Sequence, residues 1–270
     1  MSAIAHFFKT TEGDHRREWA GDSLFLIENL ILKDIKIRYR NMSLGLFWSL
    51  LNPLVMMTVL WFVFTKILPN HIPHFAAFVL CGIVPYNVVT ISWLGGTTSL
   101  VENAGLIKRV PVPRIIIPIA SVLGNCVHMS AQVALLLLLV VASGLGVNRN
   151  WAWLIVIWAM AIVFVTGLSL VFSALNVYVR DVRYVVESAN LVLFWLVPIF
   201  YPFSRIPSQY HEIYQLNPVA ALVLASRNIL LEGVAPPSSL LIKLTVSSTL
   251  MLVVGAQVFR RLEARFYNYL

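Results

Sequence analysis

The stretch IIIPIASVLGNCVHMSAQVALLLLLVVASGLGVN, residues Ile115–Asn148, contains no Asp, Glu, Lys or Arg. A second stretch, Leu44–Val101, contains one such residue, Lys66. A helix needs only about 20 apolar residues to cross a bilayer, so both stretches are long enough to do so. Such continuous apolar runs favour helices over a membrane β-barrel, whose strands alternate apolar and polar side chains. These stretches therefore predict an all-α integral membrane protein.

The composition of the whole chain agrees with this class. Of its 270 residues, 59% are hydrophobic and 12% are charged, whereas soluble domains carry about 25% charged residues. This composition excludes a soluble enzyme, a disordered chain and a disulfide scaffold. Cys81 and Cys126 lie in apolar runs, so we expect them to be packing residues. The apolar segments predict six transmembrane helices, at about 44–68, 75–100, 115–143, 151–179, 184–202 and 238–259.

The basic residues predict the orientation of these helices. Fifteen of the 20 Lys and Arg residues lie in the N-terminal segment, in the loops after the second and fourth spans, and in the tail. Because basic loops stay in the cytoplasm, both termini are predicted to be cytoplasmic. The excess of basic residues then reports topology, and we expect no nucleic-acid partner. The predicted division is a cytoplasmic segment 1–43, a transmembrane domain 44–260 and a cytoplasmic tail 261–270.

Two cytoplasmic segments are not simple loops. Residues 14–41 alternate apolar and charged side chains near helical spacing, which is typical of a helix in the headgroup plane or of a basic flank to the first span. Residues 102–114 have charged ends around Leu106 and Ile107 and contain Pro111 and Pro113, which prevent a continuous helix. This second segment is either a short docking helix that projects Leu106 and Ile107 toward a partner or an ordinary cytoplasmic loop.

Two further segments carry charge or proline near the membrane. Arg180, Asp181 and Arg183 lie between the fourth and fifth spans, where an Asp beside two Arg residues favours a structural charge cluster over a catalytic site. Residues 201–237 contain several prolines around a 13-residue apolar stretch with Arg227 in it. That stretch is too short to span a bilayer, so it predicts a re-entrant segment or a helix on the outer leaflet.

Motifs for catalysis are missing from the sequence. It contains no G-x-x-x-x-G-K-[ST] phosphate loop, no H-E-x-x-H and no G-x-S-x-G. We therefore predict no catalytic residue, no metal site and no ATPase activity in this chain. Its aromatic residues are expected to lie in interfacial belts or helix contacts, with some lining a transport pathway. The candidate channel aromatics are Trp48, Trp61, Tyr86, Trp93, Phe194 and Phe200.

Several ordered motifs resemble a known family. They are KDIKIRYR (Lys33–Arg40) with LGLFWSLLNPL (Leu44–Leu54), CGIVPYN (Cys81–Asn87), NAGLIK (Asn103–Lys108), NVYVRDVR (Asn176–Arg183), PIFYP (Pro198–Pro202), Asn217-Pro218 and Arg227. Their order and spacing, over about residues 30–235, resemble the ABC-2 type permeases that export O-antigen, capsule or teichoic-acid polysaccharides.

The resemblance implies a homodimeric pore and two copies of a separate ABC ATPase subunit, which binds ATP and Mg; this chain itself holds no cofactor. It implies an interface helix at 14–32, a coupling helix at about 102–112 and re-entrant external gate helices at about 205–235. The coupling residues would be Glu102, Asn103, Leu106, Ile107, Lys108 and Arg109. The external gate would include Tyr201, Pro202, Asn217, Pro218 and Arg227.

The predicted function is therefore that of a permease moving a lipid-linked polysaccharide across the bacterial inner membrane. Arg38, Tyr39 and Arg40 lie near the cytoplasmic face, where the charges of the two arginines would attract the anionic head group of the substrate lipid. An ABC-2 permease for a drug, lipid or peptide would have the same fold. A membrane-embedded acyltransferase is the alternative from another class, and it would need grouped His, Asp or Glu residues that the sequence lacks.

Overall fold

The computed structural model describes residues 22–40, 47–68, 71–110, 112–266 and 269. Every long regular element in these ranges is a helix, which confirms the predicted all-α class. In chain order the helices are α1 (Ser23–Tyr39), α2 (Phe47–Phe62), α3 (Phe75–Glu102), α4 (Ala104–Arg109), α5 (Ile116–Ala142), α6 (Ala152–Tyr178), α7 (Val182–Leu196), α8 (His211–Leu216), α9 (Pro218–Leu230) and α10 (Ser238–Glu263). A π-helical turn, Val63–Ile67, extends α2.

Five helical segments in the described residues are long and apolar enough to cross a membrane: α2 with its π-turn, α3 with α4, α5, α6 with the turn before it, and α10. The structure differs from the six-span prediction at α7. This helix has only 15 residues and stops at Leu196, short of the predicted end at 202. Val197 and Ile199 continue as a buried non-helical segment around Pro198, because proline cannot continue the helix.

α3 is the central helix of the molecule. It packs against α2, α5, α6, α7 and α9. In an apolar 18-residue stretch of this helical segment, 83% of the residues are buried, whereas in the corresponding stretch of α2 only 11% are. α2 therefore lies at the edge of the chain, and most of its apolar surface has no partner within the described residues.

A second small core lies at the end of the bundle that carries most of the basic residues. We call it the basal cluster; its buried members are Leu30, Leu100, Val112, Ile116, Ile117, Ala120, Leu170, Ala174, Val177, Phe259 and Phe266. It joins α1, the end of α3, the start of α5 and the ends of α6 and α10. The predicted interface helix corresponds here to α1, which begins at the capping residue Asp22; residues 14–21 lie outside the described residues.

Close helix contacts hold the bundle together. α6 and α10 form the most extensive helix pair, and they cross at Gly167 and Gly255. A Cβ on Gly167 would lie 2.5 Å from the carbonyl carbon of Met251, and a Cβ on Gly255 would collide with the carbonyl oxygen of Gly167. Only glycine permits this approach, as is common between membrane helices.

Candidate functional site

The predicted coupling segment is a short helix joined directly to α3. α3 ends at Glu102, a single residue, Asn103, follows, and α4 begins at Ala104. Asn103 is buried; its Nδ2 donates to the carbonyl of Ser99 at 2.8 Å, and its Oδ1 accepts a hydrogen bond from Lys33 Nζ of α1. The nitrogen and the oxygen of the Asn103 side-chain amide thus both help to hold the joint between α3 and α4.

The two apolar residues of this segment do not project outward. Leu106 and Ile107 are half-buried and pack against the basal cluster of their own chain. This differs from the expectation that they form the exposed knob of a docking helix. The exposed surface of α4 is formed by Gly105, Lys108 and Arg109, next to the exposed Glu102. A partner would therefore meet a small residue flanked by charges.

α1 connects this segment to the interior of the bundle. Arg38 Nη2 donates to Asn125 Oδ1 of α5 at 2.6 Å, and the Tyr39 hydroxyl is hydrogen-bonded to His128 Nδ1. Burial raises the pKa of Asp34; nearby Glu102 also raises it, while Lys33 and Arg38 oppose the shift. Of the three predicted head-group residues, Arg40 is exposed, whereas Arg38 and Tyr39 are half-buried.

A polar stripe on α5 was missed by the sequence analysis. Asn125, His128 and Gln132 follow the i, i+3, i+7 spacing of one helix face. Gln132 Nε2 donates to the carbonyl of Ser49 on α2 at 2.9 Å, and Gln132 Oε1 accepts from Asn87 Nδ2 on α3 at 3.1 Å. Buried amides inside an apolar bundle need such partners, and these bonds join α1, α2, α3 and α5. The spacing is the signal that could have found the stripe.

The charged bend between α6 and α7 is arranged differently from the predicted cluster. Arg183 Nε donates to Glu187 Oε1 at 2.8 Å, one turn along α7, rather than to Asp181. Arg180 Nη2 donates to the carbonyl of Tyr269 at 3.3 Å. Asp181 is exposed at the N-terminal cap of α7, where its backbone carbonyl accepts from Tyr184 and Val185. The helical i, i+4 spacing explains why Glu187 replaces Asp181 as the partner.

The predicted external gate contains two short helices. Asn217 caps α9, since its Oδ1 accepts from the backbone N–H of Val219 at 3.0 Å, and Pro218 occupies the first turn. α9 packs against α3, α6 and α10, and most of its residues are buried, which disfavours a helix lying on the outer leaflet. The Tyr201 hydroxyl donates to the carbonyl of Trp195 at 3.2 Å, and Pro202 precedes a 3₁₀ turn at Phe203–Arg205.

Arg227 fastens α9 to its surroundings. It is 5% exposed. Its Nη2 donates to the carbonyl of Ile199 at 2.7 Å and, more weakly, to that of Phe78 at 3.4 Å. Its guanidinium lies 3.5 Å from the centre of the Phe78 ring. No described acidic side chain pairs with it, so backbone carbonyls and an aromatic face carry its charge. We call Arg227, Phe78 and Ile199 the arginine clamp.

The six candidate channel aromatics fall into two environments. Trp48 and Trp61 lie on exposed α2 and are 53% and 41% exposed. Trp93 is buried at the edge of the Phe172 ring, with centroids 5.0 Å apart.

The other three candidates, Tyr86, Phe194 and Phe200, form a connected series of rings. Centroids are 5.5 Å apart for Tyr86–Phe194 and 6.1 Å apart for Phe194–Phe200. Phe200 also stacks on Phe64 at 5.4 Å. The series therefore links α3, α7, the buried segment after it and the π-turn.

Comparison with known proteins gives a consistent set of relatives. The family model described as ABC-2 type transporter matches residues 26–231. An O-antigen export system permease protein RfbA of Klebsiella pneumoniae is 29% identical over 250 residues, covering 92% of this chain and 95% of that protein. The Myxococcus xanthus RfbA is 27% identical (89% and 94% covered), and the polysialic acid transport protein KpsM of Escherichia coli is 24% identical (88% and 93% covered).

Proposed function

This chain belongs to the ABC-2 type transporter family, and from that premise we infer how it takes part in export. Its relatives, named for O-antigen export and polysialic acid transport, cover nearly the whole chain. The chain is a multi-pass membrane protein and the permease subunit of a polysaccharide exporter. The same relatives favour this cargo over the drug, lipid or peptide alternative.

We propose that two copies of the chain form the conduit, and the exposure of α2 carries this proposal. Only 11% of its most apolar 18 residues are buried within one chain. Trp48 and Trp61 on α2, and Trp195 on α7, are exposed large aromatics. A second copy covering the outer part of this face would leave the tryptophans beside the dimer axis, where their ring faces can stack on sugars without binding one tightly.

The energy would come from two copies of a separate ABC ATPase that binds ATP and Mg. The sequence has no phosphate loop of its own, which supports this division of labour. The exposed residues of α4, together with Glu102, offer a small, charged docking surface. A cleft in the ATPase would close around Gly105, while Leu106 and Ile107 keep α4 attached to the basal cluster.

The substrate would be a lipid-linked glycan that enters from the cytoplasmic side of the bacterial inner membrane, with both termini of the permease in the cytoplasm. The distribution of Lys and Arg supports this orientation. Arg40 is exposed beside Arg38 and Tyr39, which are bonded to α5. An anionic head group would meet Arg40 first and would reach Arg38 only in competition with Asn125.

Cysteine cross-linking in native membranes tests the dimer. Val59 of α2 and Leu250 of α10 are both exposed apolar residues, 51% and 61% exposed. In a background lacking Cys81 and Cys126, Val59→Cys is expected to give a cross-linked dimer with a short bifunctional maleimide. Leu250→Cys, the matched control on α10, is expected to stay monomeric. Cross-linking through Leu250→Cys alone would show that the interface has been assigned to the wrong helix.

The cargo is tested separately in a strain lacking this gene. Complementation with the wild-type chain should restore surface polysaccharide, and the deletion strain should accumulate the lipid-linked glycan in the inner membrane. A deletion strain with wild-type surface polysaccharide and no accumulated intermediate would refute the assignment.

A further inference from the structure

A cavity of about 380 Å³ lies at the bend between α6 and α7, against the end of α10. We call it the elbow cavity. Its lining consists of Leu175, Tyr178, Val179, Val182, Leu262 and two arginines, Arg261 and Arg265. The volume falls within the range of about 300–1,000 Å³ usual for small-molecule sites. None of the individual residues proposed for docking, gating or dimer contact lines it.

The walls of the elbow cavity are held in place by the C-terminal segment. The Tyr178 hydroxyl donates to the carbonyl of Leu262 at 2.7 Å. The Tyr178 ring lies 4.7 Å from that of Tyr269 and 6.0 Å from that of Phe266, centre to centre. Phe266 is fully buried in the basal cluster. The chain beyond α10 thus folds back onto the bend and fixes the shape of the cavity.

The two arginines of the cavity are available for a ligand. Arg261 and Arg265 are exposed, and neither guanidinium group makes a hydrogen bond or ion pair with another described residue; the backbone N–H of Arg265 donates to the carbonyl of Leu262. Three other nearby arginines are engaged: Arg180 with the carbonyl of Tyr269, Arg183 with Glu187, and Arg114 with the carbonyl of Glu263 at 2.7 Å. Residues 178–187 and 260–266 together hold five arginines and three acidic residues, so the rim of the cavity carries a net positive charge.

The rest of the cavity lining is mainly apolar. Leu175 and Val179 are 38% and 54% exposed. Further along α10, Val246, Leu250, Val253 and Val254 are also exposed large apolar residues. An apolar surface that runs along two membrane-spanning helices and ends at unpaired cations has the polarity of a phospholipid, with acyl chains on one side and a phosphate on the other.

We propose that the elbow cavity binds an anionic phospholipid of the cytoplasmic leaflet. Its phosphate lies between Arg261 and Arg265, and one acyl chain follows Leu175 and Val179. Only the choice of leaflet rests on the orientation proposed above; the site itself does not depend on what the permease transports. An acidic segment of the ATPase would suit the two cations but not the apolar wall, so the lipid is the occupant that both surfaces favour.

Native mass spectrometry of the purified permease–ATPase complex in detergent tests the site with dioleoylphosphatidylglycerol and dioleoylphosphatidylcholine as probes. The wild type should retain the anionic lipid preferentially. Each basic residue near a membrane surface contributes about 1 kcal/mol to such binding, so Arg261→Gln with Arg265→Gln should weaken it on the order of 30-fold. Val179→Trp, which keeps both charges but fills the cavity from its exposed rim, should also release the lipid.

The matched control is Arg149→Gln with Arg205→Gln, which removes the same charge from exposed arginines far from the cavity. It should retain the anionic lipid as the wild type does, and each variant's melting temperature should show that it is folded. Unchanged lipid binding in the Arg261→Gln, Arg265→Gln variant would overturn the proposal. So would loss of the ATPase from that variant with lipid retention intact, because the arginines would then serve the partner subunit. Neither readout requires transport.

Discussion

Replacement of Arg227 should loosen the attachment of residues 197–199 to α9 while leaving most of the bundle intact. Arg227→Leu leaves the Ile199 carbonyl without its 2.7 Å donor, at a cost of about 1–3 kcal/mol. It also removes the guanidinium from the Phe78 ring, a contact worth about 2 kcal/mol in a desolvated setting. The leucine variant no longer buries a charge that lacks an acidic partner, and this gain offsets part of the loss in overall stability. The attachment of residues 197–199 to α9 is nevertheless lost.

The neighbouring thiol of Cys81 reports this loosening. Cys81 is fully buried on α3. It adjoins Gly82, where an added Cβ would lie 2.9 Å from the Cα of Ile199. The segment that Arg227 holds therefore covers this part of α3. If opening of the segment limits access, a local loss of about 3 kcal/mol should raise the maleimide labelling rate of Cys81 about 150-fold.

The assay uses a Cys126→Ser background, because Cys126 is the other free thiol among the described residues. Arg227→Lys keeps the charge and can reach one carbonyl, so it should label at an intermediate rate. Arg205→Leu removes an exposed arginine of the same region and should label at the wild-type rate. Wild-type labelling of Cys81 in Arg227→Leu would refute the clamp, since the thiol would then be covered by contacts that do not involve this arginine.

Three further variants follow from individual contacts. Gly105→Trp should leave the melting temperature of the purified permease unchanged, because a Cβ there meets no other atom within 4 Å. The same variant should lose ATPase binding in a pull-down, whereas the control Ser208→Trp should keep it. Binding retained by Gly105→Trp would place the docking surface elsewhere. Gly255→Ala should lower the free energy of unfolding by about 1–3 kcal/mol through overpacking against Gly167. The control Gly105→Ala should not lower it. Equal melting temperatures of these two variants would contradict the close crossing of α6 and α10. Burial raises the pKa of Asp34 in the folded protein, so its contribution to stability is present at low pH and lost as the pH rises through the folded pKa. Asp34→Asn should therefore stabilise the protein more at pH 7 than at pH 4, and an equal effect at both values would argue against a buried carboxyl.

The class of the fold could be predicted from the sequence because bilayer-length apolar runs leave few alternatives to helices. The end of the helix was not predicted at α7, where the run Tyr184–Pro202 has the composition of a span but the helix stops at Leu196. Composition does not reveal that the chain leaves the helix after Leu196 and returns as a buried segment against Gly82. That path depends on a tertiary contact with α3 and on Arg227, which lies 28 positions further along the chain.

The sequence predicted where the candidate segments lie along the chain better than it predicted which side chains they contact. The segment predicted to couple to the ATPase does form a separate short helix. Leu106 and Ile107 pack against the basal cluster, which draws residues from five helices that no local pattern reveals. Helical geometry brought Arg183 to Glu187, whereas sequence proximity suggested Asp181. The sequence did not predict that the α5 amides hold helices together, because their role depends on partners on α2 and α3 that only the structure reveals.

The single-residue joint at Asn103 has a mechanical consequence. α3 has 28 residues, so it is a rod about 42 Å long at 1.5 Å per residue. Its C-terminal end is joined to α4 through Asn103 alone. Its N-terminal turns contain Phe78, which contacts Arg227, and Gly82, which lies against Ile199 in the segment after α7. Under the docking proposed above, a displacement of α4 is therefore expected to move α3 as well, and Pro85 is a position between the two ends at which this helix can bend.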